Sequence, residues 1–187
     1  MRSPMPEHPN HGEPPPLPPA ERLQDLFFDA ARLGRADMIP ALYRAGVDLE
    51  ATDMRGYTAL ILASYNGSIE ATRILLELGA GVDTPDEGRG NTALMGVAFK
   101  GYRQILLCLL QAGAVVDCRN RAGQTALMTA TLFGHTEIVE DLLAAGANPL
   151  LVDAAGNSAR SLAGTQGNLA MLELLDSACP PTGTLDG

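Results

Sequence analysis

Gly56-Tyr57-Thr58-Ala59-Leu60, Gly90-Asn91-Thr92-Ala93-Leu94 and Gly123-Gln124-Thr125-Ala126-Leu127 are three copies of one phrase. They belong to a larger register. Gly34, Gly67, Gly101, Gly134 and Gly167 form one ladder; Gly46, Gly79, Gly113 and Gly146 a second; Gly56, Gly90, Gly123 and Gly156 a third. Every step is 33 or 34 residues. A fixed period of that size marks a stack of repeated supersecondary units, and such stacks present extended surfaces rather than closed cavities.

Within one period the residues read as turn, short helix, tight turn, second helix and glycine stop. Asp53-Met54-Arg55-Gly56 has turn chemistry. Thr58 is an N-cap for a helix over Ala59–Tyr65. Gly67 lets the chain reverse. Ile69, Ile74, Leu75 and Leu76 give the second helix an apolar face, and Gly79 suits a left-handed helix end. Helices of this length are marginal alone in water, so their stability comes from stacking on neighbours.

The phrase Gly-x-Thr-Ala-Leu, the pair Gly134-His135 and the stops Leu75-Leu76-Glu77-Leu78-Gly79-Ala80, Leu109-Leu110-Gln111-Ala112-Gly113-Ala114 and Leu142-Leu143-Ala144-Ala145-Gly146-Ala147 resemble the ankyrin repeat. The resemblance covers roughly residues 21–178. It implies an all-α fold: an ankyrin-repeat solenoid of stacked helix-turn-helix units with β-hairpin or turn fingers. Five units are implied, over 21–52, 53–85, 86–119, 120–152 and 153–178. The first lacks the opening turn. The last has Ser158 for Thr and Arg160 where Leu is usual, so both read as caps. The usual Thr-Pro-Leu-His is replaced by Thr-Ala-Leu followed by Ile61, Met95 or Met128, a style similar to bacterial ankyrin proteins.

Domain organisation follows. Residues 1–19 carry eight prolines and are expected to be a disordered lead; 20–178 form the repeat domain; 179–187 are a flexible tail. The lead also reads as a polyproline ligand for an aromatic groove.

Composition narrows the function. The chain has 187 residues, a net charge of -9 and a single lysine, Lys100. That balance disfavours nucleic acid and anionic membranes. Arg in place of Lys, with much Ala and Gly, points to a GC-rich, bacterial genome. Three cysteines, Cys108, Cys118 and Cys179, have no paired spacing, so a reducing, cytoplasmic setting is expected. Neither a membrane-spanning helix nor a signal peptide is expected.

No catalytic, cofactor or metal site is legible. His135 matches a structural turn position, and no nucleophile elbow or phosphate loop is present. Cys108 reads as a small core residue and Cys118 as a more exposed one. What remains is surface. By the resemblance, the inner helices and hairpin tips form a concave face that holds partners. The residues chosen on that face are Arg55, Tyr57, Tyr65, Arg89, Phe99, Lys100, Arg121, Leu132 and Phe133. Tyr65, Phe99 and Leu132 fall at one position of successive units and make an apolar stripe, which reads either as an interface or as side chains packed on the neighbouring unit. Arg55, Arg89, Arg119 and Arg121 sit at hairpins and read either as fingertips for an acidic partner or as solvated side chains beside Asp53, Glu87 or Asp117. The one-residue longer step of all three ladders places an insertion between Gly79 and Gly90, in the hairpin Gly81–Arg89.

The expected function is therefore a non-catalytic, monomeric, protein-binding module that inhibits, escorts or stabilises a partner enzyme. A metal or haem carrier is the alternative, resting on His8, His11 and the methionines.

Overall fold

All thirteen ladder glycines adopt positive φ, and no other residue among those described does. In that region a Cβ crowds the backbone, and glycine alone enters without cost. The ladders are thus a backbone requirement, written once per turn of the stack. The computed structural model describes residues 18–178. The proline lead up to Leu17, with His8 and His11, and the tail from Cys179 lie outside the described residues.

Among the described residues are ten helices in five successive pairs: α1 Ala20–Leu33 with α2 Ile39–Arg44, α3 Ala59–Tyr65 with α4 Ile69–Glu77, α5 Ala93–Lys100 with α6 Arg103–Gln111, α7 Ala126–Leu132 with α8 Thr136–Ala144, and α9 Ala159–Thr165 with α10 Leu169–Ala178. The first members of the pairs stack on one another, α1 on α3, α3 on α5, α5 on α7 and α7 on α9. They form an inner layer; the second members form an outer one. The fingers between pairs are tight turns. They contain only isolated bridges, Thr52 with Thr58 and Val152 with Ser158, and no strand among the described residues.

The inner helices start where the sequence says they should. Thr58, Thr92, Thr125 and Ser158 accept hydrogen bonds from the backbone N–H of Ile61, Met95, Met128 and Ser161. Each satisfies one donor that the first helical turn leaves open. Between the layers lie Leu60, Leu94 and Leu127 from the inner helices and Leu75, Leu109 and Leu142 from the outer ones, all essentially inaccessible. Cys108, expected in the core, is only half-buried.

The carboxylates of the fingers tie each pair to the next. Glu50 accepts from the Gly81 N–H at 2.7 Å, Asp83 from Val115 at 3.1 Å and Asp117 from Asn148 at 3.1 Å. No motif of the sequence marks these acids as ties between repeats. They cap main-chain donors at the finger bases, where neither helix nor sheet supplies an acceptor.

Candidate functional site: the inner-helix face and fingertips

Each fingertip is held by one side chain. Asp53 accepts from the N–H of Arg55 and Tyr57, Asn120 from Ala122 and Gln124, and Asp153 from Ala155 and Asn157. The same residues close the turns through the main chain, Asp53 N–H to Tyr57 O, Asn120 N–H to Gln124 O and Asp153 N–H to Asn157 O. The third tip has one residue more, because Asp86 N–H reaches to Asn91 O. Since Gly90 matches Gly56 and Gly123, the insertion lies between Asp86 and Gly90, within the window the ladders defined. Asp86 is buried and binds three N–H groups, those of Arg89 at 2.6 Å, Gly90 at 3.2 Å and Asn91 at 2.9 Å.

The tips are joined to each other. Glu87 N–H donates to Gly56 O at 3.0 Å, Arg121 N–H to Arg89 O at 2.9 Å and Ala154 N–H to Ala122 O at 2.9 Å. This places the fingers in a fixed row, with little freedom left to lose on binding.

On the inner-helix ends, Tyr65, Phe99, Leu132 and Phe133 remain exposed, at 41%, 39%, 40% and 47%. The Tyr65 and Phe99 rings stack with centroids 6.2 Å apart and planes 9° apart. Phe99 meets Phe133 edge-to-face at 4.5 Å. Both arrangements are favoured by the ring quadrupoles. The Lys100 Nζ stands 5.1 Å from the Tyr65 ring centroid and 5.8 Å from that of Tyr102. A cation over aromatic faces is attracted to them. Tyr102 was not among the residues chosen from sequence, because nothing in the repeat grammar separates it from an ordinary turn residue. It packs against Gly67, where a Cβ would meet its ring at 3.1 Å.

The remaining chosen residues divide. Arg55 and Arg89 are exposed at the tips and make no ion pair among the described residues. Tyr57 is half-buried and packed against the core, so little of its ring is offered to a partner. Arg121 is not a free fingertip: its Nη1 donates to Gly88 O at 2.6 Å. Arg119 is likewise turned inward, onto the carbonyls of Gly123 and Val152. Both guanidiniums satisfy carbonyls that the bent tips leave without a main-chain donor. The pairing with Asp117 weighed for these hairpin arginines does not form; Asp117 caps Asn148.

His135 sits against Gly101, where a Cβ would meet its ring at 2.7 Å, and its Nε2 lies 3.1 Å from Phe99 O. That is the structural position its sequence context indicated. The Cys118 thiol is held above its usual pKa by burial, with Asp83 adding to the effect, which disfavours the thiolate. Among the described residues no group of three His, Cys, Asp or Glu side chains is placed to hold a metal, and no helix is long and apolar enough to cross a membrane.

Comparison with known proteins agrees with this architecture. The family model described as ankyrin repeats (3 copies) matches residues 27–120 and 94–181. A putative ankyrin repeat-containing protein of Treponema pallidum is 36% identical over 102 residues, 54% of this chain and 34% of that protein. A putative E3 ubiquitin-protein ligase of Arabidopsis thaliana is 36% identical over 92 residues, 48% of this chain and 20% of the ligase. The human ankyrin repeat and KH domain-containing protein 1 is 34% identical over 91 residues, 48% of this chain but 4% of that protein. The chain thus spans a fifth or less of these two larger relatives. With the family model covering most of its length and the glycine ladders in register, this chain belongs to the ankyrin-repeat family.

Proposed function

We propose that this chain is a protein-binding module without catalytic activity of its own, and that its partner docks across the second, third and fourth inner-helix ends and the tips beside them. Ankyrin repeats generally mediate protein–protein interaction, and this membership supports the class of function. The observation that carries the site is the continuous aromatic row Tyr65–Phe99–Phe133, exposed yet already ordered by its own stacking. Aromatic anchors in a pre-ordered row contribute contact area at low entropic cost, and a few such anchors dominate interface energies. Inhibiting, escorting or stabilising one partner enzyme in a bacterial cytoplasm is the role this surface suits, with the module acting as a monomer. The carrier alternative rests on His8 and His11, outside the described residues, and on the methionines, of which Met95, Met128 and Met171 are buried.

The test needs a partner obtained by pull-down from native lysate, then titrated by calorimetry. Arg89→Glu combined with Phe99→Ala is expected to weaken binding about tenfold or more with little change in melting temperature, since both side chains are exposed anchors. Wild-type affinity in that double variant moves the interface to the outer helices or the proline lead.

A further inference from the structure

We infer that the segment seated on this face is an acidic one, with Asp or Glu on both sides of a central aromatic or leucine side chain. The inference rests on the proposed docking face and adds the chemistry of what occupies it.

Three things on the face support it. First, its exposed middle is apolar and carries no carboxylate: Tyr65, Phe99, Leu132 and Phe133 stand at the ends of α3, α5 and α7, with half-buried Gly96 and Thr129 in α5 and α7. An apolar side chain is the natural occupant there. Second, unpaired cations stand at both ends of that middle. Arg55 and Arg89 lie at the fingertips and Lys100 at the opposite end of α5, and none has a carboxylate partner among the described residues. The eight residues of α5 separate the two ends by about 12 Å. Third, most acids near this face are already committed. Asp53, Asp86 and Asp153 bind the main chain of their own tips, Glu87 accepts from the Thr52 hydroxyl at 2.6 Å, and Asp29 pairs with Arg32 at 2.7 Å. Asp25 and Asp29 on α1 limit the cationic surface on that side. Arg44 and Arg73, which also make no ion pair among the described residues, lie on the outer helices α2 and α4, away from it.

The net charge of -9 argues the other way at long range, since it attracts basic partners. At physiological ionic strength charges more than about 8 Å apart are largely screened. Contact specificity is therefore set by the groups that touch, and those are cationic around an apolar centre. The net charge lowers the rate of encounter instead.

The probe is a displayed library of random short peptides selected on the full chain, with Lys100→Glu and Phe99→Ala variants as counter-targets. Melting curves first establish that both exposed-site variants are folded. Selected peptides are expected to carry acids flanking Phe, Trp or Leu and to lose about tenfold in affinity on Lys100→Glu. They are expected to shield Lys100, the only lysine side chain in the sequence, from amine-reactive labelling. Basic, neutral or proline-rich winners, the last resembling residues 1–17 of this chain, overturn the inference, as does the absence of enrichment. If such winners still lose affinity on Phe99→Ala, the docking face stands and only its assigned chemistry fails. Acidic winners that bind both variants like wild type overturn the face as well.

Discussion

The Tyr65 ring lies over the backbone of Gly96, and a Cβ built on that glycine would stand 3.4 Å from Tyr65 Cδ2. Gly96 is in the middle of α5 with no positive φ, so the helix does not require glycine there. The absence of a side chain instead gives Tyr65 a flat seat beside Phe99. The exposed row is therefore set by an inner residue of the next repeat, and its rigidity comes from the stack rather than from any one unit.

Leu109→Ala is expected to destabilise the fold by about 2–5 kcal/mol, the range for truncating a fully buried leucine. Leu109 is inaccessible to solvent and belongs to the recurrent Leu-Leu stop of the outer helices. Its loss opens a cavity in the central pair, where both neighbours share the cost. Urea denaturation reads this directly, and an unchanged midpoint contradicts the assignment of the Leu-Leu stop to the core.

Asp86→Ala is expected to cost about 2–3 kcal/mol, because hydrogen bonds to a charged acceptor are lost and buried donors are left open. Three N–H groups of the longer tip depend on that carboxylate. Asp86→Asn provides the control. Asn120 performs the same job one finger later, holding the N–H groups of Ala122 and Gln124 with its amide oxygen. Asp86, however, uses both oxygens, Oδ1 for Arg89 and Gly90 and Oδ2 for Asn91. The asparagine variant keeps the first two bonds and turns an NH2 group towards the Asn91 N–H, so it is expected to lose less than the alanine variant but more than nothing. Equal losses in both variants, by thermal or chemical melts, show that the two bonds to Oδ1 contribute little and that the second oxygen or the charge matters at this tip.

The fold was legible because its cause is local and periodic. A positive φ demands glycine, and the demand recurs at Gly56, Gly90, Gly123 and Gly156 whatever the neighbours are. The Thr caps were legible for the same reason. The exposed row was legible in part: Tyr65, Phe99 and Leu132 share a repeat position, while the Phe99–Phe133 edge contact depends on how adjacent helices are staggered. What sequence concealed were the ties between repeats. Arg119 and Arg121 resemble fingertips until the neighbouring carbonyls of Val152 and Gly88 are in place. Glu50, Asp83 and Asp117 resemble solvated acids until the next finger brings its N–H to them. Such contacts join residues about one period apart, and no local pattern encodes them.

Acid should loosen the last finger. The Asp153 carboxyl is held below its usual pKa, chiefly by the Asn157 backbone N–H, with the Asn157 side chain, the Ala155 N–H and the Arg119 charge assisting. A carboxyl whose pKa is lower in the folded state contributes stability that is present above its unfolded value of about 4 and is lost as pH falls through the folded value. Asp176, lowered by its hydrogen bond from Arg160, acts in the same direction. Wild type and Asp153→Asn are expected to converge in urea midpoint as pH falls below about 4, because the variant lacks the titrating group. A constant gap between them across that range removes Asp153 from the acid response. Amide hydrogen exchange at the low pH is expected to show the Asp153–Asn157 turn opening before the Asp53–Tyr57 turn, since the last repeat has a neighbour on one side only.

Gly96 separates stability from recognition. In a helix interior, glycine is about 1 kcal/mol less favourable than alanine. The new methyl group of Gly96→Ala would sit 3.4 Å from the Tyr65 ring, an ordinary contact that needs no movement. This variant is therefore expected to gain about 0.5–1 kcal/mol and to keep the Tyr65–Phe99 stack. Gly96→Leu places branched carbons where the ring now lies. Tyr65 must then leave its seat, which breaks the 6.2 Å stack and moves the ring away from Lys100. Tyrosine fluorescence and the melting curve distinguish the two variants before any partner is available, and partner affinity is the decisive readout afterwards. The alanine variant should bind like wild type and the leucine variant about tenfold more weakly, because only the second disturbs an ordered aromatic anchor. If the leucine variant keeps both stability and affinity, the row Tyr65–Phe99–Phe133 is incidental to binding. If the alanine variant loses affinity while gaining stability, the partner instead uses the glycine backbone itself, at a depth no other residue of α5 permits.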